Sequence, residues 1–116
     1  MKNEPMYDFG YLKEITDHDQ ELMQQVVDEF LLLCEESTAA FSHASSAQDP
    51  ALLYNFAHKI KPNLVMLGVP KSLVQEVVYL EASGKAATWT EELQARIEQV
   101  ISLLQVLRRE LASATL

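Results

Sequence analysis

The chain has 116 residues, 48% of them apolar, only three glycines and a formal net charge of −8. That suits one domain spanning 1–116 with a core of its own, and leaves little room for two. The negative balance repels nucleic acid and anionic membrane surfaces, so neither is expected as a partner.

Pro5 to Gly10 is helix-poor, and Tyr11 to Ile15 reads as a short leading turn. Asp17 is placed to cap a long helix, whose apolar residues Leu22, Met23, Val26, Val27, Phe30, Leu33, Cys34 and Phe41 recur in steps of three and four. It reaches about Ser45, with an irregularity expected near Ser37, and 45–48 forms a turn. Asp49-Pro50 is a strong start signal, with Asp at the N-cap and Pro at the first helical position, where its missing N–H costs nothing. This third helix ends near Gly68, which suits a left-handed cap. Pro70 opens a fourth, carrying Leu73, Val74, Val77 and Val78, ending at Leu80 or Glu81 and broken by Ser83-Gly84-Lys85. Thr88 and Glu91 have capping-box spacing. The last helix shows Leu93, Ile97, Val100, Leu104, Leu107 and Leu111, the seam of an antiparallel bundle. The expected fold is therefore all-α, an up-down-up-down antiparallel four-helix bundle with a short extra N-terminal helix.

Cys34 is the only cysteine, so no internal disulfide forms, and its place on the apolar stripe makes it a buried thiol. No apolar run approaches the roughly 18 residues that a spanning helix needs. Met1-Lys2-Asn3-Glu4-Pro5 lacks the apolar core of a signal peptide, and the cytoplasm is the expected location.

The third helix carries the chemistry. With successive residues about 100° apart, Leu53, Ala57, Ile60, Leu64 and Leu67 fall within roughly 40° of one direction, and His58 points about 140° away, toward solvent. Lys61 lies at its side one turn on, and Lys59 on the opposite flank. Residues 50–85 hold Lys59, Lys61, Lys71 and Lys85 against Glu76 and Glu81, a net of +2, while the rest of the chain carries −10. Imidazole nitrogen is nucleophilic near neutral pH. An exposed imidazole beside fixed positive charge suits a phosphoryl carrier, with Lys61, the better placed, and Lys59 supplying charge for phosphoryl oxygens, or Lys59 instead meeting an acidic docking partner. The same residues also fit a solvated surface position without function. Tyr54, one turn before His58, and Val65, two turns after it, would join Lys61 in a partner-binding surface.

Ala57-His58-Lys59-Ile60-Lys61 followed by Leu67-Gly68 resembles the signature of histidine-containing phosphotransfer (HPt) domains. Asp19-Gln20-Glu21-Leu22, Phe30-Leu31, and Leu80-Glu81 before Gly84 extend the likeness more loosely over most of the chain. The resemblance implies a phosphorelay intermediate in a two-component pathway. His58 would take phosphoryl from an aspartate of one response-regulator receiver domain and pass it to another, downstream of a sensor or hybrid histidine kinase. It also implies that the receiver supplies Mg²⁺ and most catalytic groups, so that the domain needs no cofactor of its own and is not an independent enzyme. Two positions depart from the family pattern. Pro62 stands where a small residue is usual; it removes the N–H that would bond the His58 carbonyl and is expected to kink a continuous helix. Val65 is larger than usual and narrows the approach to His58.

His18 and His43 read as surface residues. No His-x-x-x-His, Glu-x-x-His or Cys pair offers a metal site, and no Gly-rich loop offers a phosphate cradle for ATP. An enzyme is disfavoured by that missing loop and by the lack of a paired acid–base constellation. A helical adaptor that binds a receiver or another signalling protein without being phosphorylated is the other reading, with Pro62 its best support. The length and Met1 favour a free-standing protein, expected to be monomeric.

Overall fold

The computed structural model describes residues 4–116; Met1–Asn3, part of the stretch compared above with a signal peptide, lie outside the described residues. Five helices follow in order: α1 (Gly10–Ile15), α2 (Gln20–Ala47), α3 (Pro50–Met66), α4 (Lys71–Ala86) and α5 (Glu91–Ala112). The described residues contain no strand, and the protein is all-α.

Four boundaries differ from the sequence expectation. The cap of α2 is Asp19, whose carboxylate accepts from the Leu22 N–H at 3.0 Å. Asp17 and His18 instead take left-handed φ values of 54° and 61° and form the turn itself; Asp and His tolerate that region better than most side chains. The cap of α5 is Thr90, accepting from the Leu93 N–H at 3.0 Å, so the Thr88–Glu91 box does not form. Helix α4 runs straight through Ser83-Gly84-Lys85 to Ala86 and closes on a left-handed Ala87. Helix α2 likewise passes Ser37 unbroken and reaches Ala47, leaving Gln48 alone as the left-handed closing residue. Asp49 caps α3 through the Leu52 N–H, with Pro50 in the first turn. Gly68 has φ 67°, and a Cβ there would collide with the Asp8 carbonyl, so only glycine lets the N-terminal segment cross at this point. That segment is tied down by Asp8 N–H donating to the Leu67 carbonyl at 2.9 Å and by Met6 N–H donating to Glu110 at 2.6 Å.

The four long helices bury one face each. Helix α3 packs on α4 and α2, and α5 packs on α2 and α4. Phe30, Phe41, Leu53, Ile60, Leu64, Leu80, Ile97 and Leu104 lie in the core between them, each at most 1% exposed. Cys34 is buried there too, its thiol donating to the Leu104 carbonyl at 3.4 Å, and burial pushes that thiol up to about 11. It behaves as a packed apolar group rather than a nucleophile. Arg96 of α5 grips α4 by a fork onto both oxygens of Glu76, at 2.9 Å each, and lies 3.6 Å from the centre of the Tyr79 ring. Such a planar two-point contact fixes orientation as well as charge. No helix among the described residues is long and apolar enough to cross a membrane.

Candidate functional site

Helix α3 mounts His58 on its outward face because its inward face is fully committed: Leu53, Ala57, Ile60 and Leu64 are all 0% exposed. The His58 side chain is 62% exposed. Its Nδ1 lies 2.6 Å from Oε2 of Glu81, which reaches across from α4. The other oxygen of the same carboxylate, Oε1, accepts from the Lys61 ammonium at 2.6 Å. The Tyr54 ring stacks on the imidazole, with centroids 5.5 Å apart and planes 12° from parallel.

Four side chains from two helices thus form one cluster, with Glu81 at its centre. The Glu81 side chain is only 15% exposed. The hydrogen bond from Lys61 holds its carboxyl below the ordinary glutamate value of 4.5, with His58 acting in the same direction. An ionised carboxylate only accepts, so the His58 Nδ1 carries the hydrogen and donates. That fixes the neutral tautomer: Nε2, on the opposite side of the ring, holds the lone pair. Lys61 places a cation beside the ring without competing for the proton.

Residues 58, 61 and 54 therefore come together as the sequence places them. Lys59 does not join them. Its ammonium sits 5.5 Å from the centre of the Phe56 ring, and it lines a groove with Val26, Glu29, Glu36 and Asn63 on the α2 side of α3. Pro62 is exposed and α3 continues past it to Met66. Having no N–H, it leaves the His58 carbonyl without the usual bond from four residues on. Val65 is 55% exposed on the outer surface of α3. Glu81 is the residue that sequence reading misses. It stands on another helix, 23 positions away, where it passes for the end of an apolar stripe. Among the described residues no group of three or more His, Cys, Asp or Glu could hold a metal ion.

The depressed carboxyls have a consequence for stability. Glu81 is shifted down by Lys61, and Glu76 by its hydrogen bond from Arg96. A group whose folded value lies below its unfolded one binds protons more readily unfolded. Its contribution is full above the unfolded value and is lost as pH falls through the folded one. Denaturant titrations between about pH 6 and pH 3 should show stability falling with acid, and Glu81→Gln should flatten that fall. An unchanged slope in the variant would mean that Glu81 is not held in its ion pair in solution.

Comparison with models of known families, with curated proteins and with solved structures finds no match to this chain.

Proposed function

We propose that the protein is a histidine phosphocarrier of the HPt kind. On this reading the four long helices form an up-down-up-down bundle, and phosphoryl passes between receiver-domain aspartates through His58. The observation that supports it best is the exposed imidazole whose Nδ1 is tied to a buried-side carboxylate that also holds Lys61.

The chemistry follows from that arrangement. The Nε2 lone pair attacks the phosphorus of an aspartyl phosphate on the donor receiver. A nitrogen–phosphorus bond forms as the bond from phosphorus to the aspartate oxygen breaks, and the electron pair leaves with the aspartate. The ring, now bearing hydrogen on Nδ1 and phosphoryl on Nε2, is positively charged and faces the Glu81 carboxylate, which stabilises it. Lys61 offers charge to the phosphoryl oxygens. The reverse step delivers the group to a second receiver. The receiver brings Mg²⁺ and most of the catalytic groups, and Pro62 and Val65, exposed beside His58, are where a docked partner would rest.

The test is incubation with a labelled, phosphorylated receiver domain. Acid-labile, base-stable label is expected on the wild type and none on His58→Gln, which should fold as the parent does. Label retained by His58→Gln would move the site to His18 or His43. No label from receivers that load other HPt domains would favour the unphosphorylated adaptor.

A further inference from the structure

Gly84 sits inside α4, where glycine is unfavourable relative to alanine. It is buried, and no turn requires it, because α4 continues through Ala86. A Cβ at this position would lie 2.8 Å from the Pro50 carbonyl oxygen, 2.8 Å from the Tyr54 nitrogen and 3.0 Å from the Tyr54 Cα. All three are backbone atoms of α3, which cannot rotate aside as a side-chain end can. The two helices touch backbone to backbone here.

This contact lies one turn from the His58–Glu81 pair on both helices. Tyr54 precedes His58 by four residues, and Gly84 follows Glu81 by three, so the pairs 54–84 and 58–81 are successive rungs of an antiparallel helix pair. Residues three and four apart share a helix face. The separation of α3 and α4 at the first rung therefore sets it at the second, where the Glu81 carboxylate must meet Nδ1 and Lys61 together at 2.6 Å each. The Arg96 fork holds α4 from its other flank, so α4 has no free roll with which to compensate.

We infer that Gly84 is a positioning residue for His58: by letting α4 close onto the α3 backbone, it brings Glu81 within reach of Nδ1 and so sets the imidazole tautomer. Its consequence for phosphoryl transfer rests on the phosphocarrier reading, but the inference itself concerns only the geometry of the ring.

The experiment is nitrogen-15 NMR of the His58 ring, which reports directly which nitrogen bears hydrogen. In the wild-type protein the neutral ring should be held in the Nδ1–H form. In Gly84→Ala that form should cease to be the major species, and the Nε2–H form, which free histidine favours, should replace it. Val100→Ala, a truncation in the α5 core away from this contact, should leave the tautomer as in the wild type. A folded Gly84→Ala with an unchanged tautomer overturns the inference, as does an equal change in Val100→Ala, which would mark general loosening. If Gly84→Ala does not fold, Glu81→Asp decides. It draws the carboxylate back by one methylene and leaves the helix contact at Gly84 untouched, so the Nε2–H form should become the major species, and persistence of the Nδ1–H form would show that the reach set by this contact does not fix the tautomer. None of these readouts depends on phosphorylation, so failure here and failure of the carrier reading are separate results.

Discussion

On the proposed phosphocarrier reading, Glu81→Gln is expected to slow phosphoryl transfer through His58 by about 10- to 100-fold while the fold is retained. A hydrogen bond to a charged group contributes roughly 1.5–3 kcal/mol, and each 1.4 kcal/mol or so is tenfold in rate. The neutral amide keeps the size of the glutamate but removes the negative charge facing the ring as it becomes positive. It also presents a donor as readily as an acceptor, so the tautomer is no longer dictated. The measurement is the single-turnover rate from a phosphorylated receiver, with circular dichroism to confirm the fold. A rate indistinguishable from the wild type would remove Glu81 from the chemistry and leave it as a structural partner of Lys61.

The second large effect is on stability. Leu64→Ala should destabilise the protein by about 2–5 kcal/mol, the range for a fully buried leucine that leaves a cavity. Leu64 is 0% exposed and its neighbour Val65 is 55% exposed. Val65→Ala should therefore cost well under about 1 kcal/mol. Against a total stability typically near 5–15 kcal/mol, the first change is severe and the second nearly silent. Urea titrations of both variants check this. Equal losses would show that α3 is rotated from the orientation described, and with it His58.

Periodicity makes the outward direction of His58 and the flanking of Lys61 and Tyr54 legible, because all lie on one helix whose apolar stripe is unbroken. Pro62 does not obscure the helix for the same reason: apolar residues keep phase from Ile60 to Leu64 across it. What the pattern misses depends on a second helix or on a choice between equivalent neighbours. Glu81 meets His58 only through the packing of α4 on α3, which no single-helix pattern encodes. Gly84 reads as a breaker because its cost within a helix is local, whereas its benefit, close approach to the α3 backbone, is tertiary. Asp17 and Asp19 offer equally good caps, as do Thr88 and Thr90. The outcome turns on which residue is extended, φ −75° at Asp19 and −131° at Thr90, and that is set by how the preceding turn closes.

The placement of the cluster also bears on its lifetime. His58 lies well within α3, and Glu81 lies inside α4, on a helix gripped by Arg96 on one flank and seated on α3 at Gly84 on the other. Fraying of helix ends and loop motions, which run on nanoseconds to microseconds, do not reach such positions. Parting the imidazole from its carboxylate by backbone movement requires α3 and α4 to separate, and that exposes Ile60, Leu64 and Leu80 to water. The opening of the site and the opening of the core are then one event, so amide exchange around His58 should be as slow as that of the deepest core.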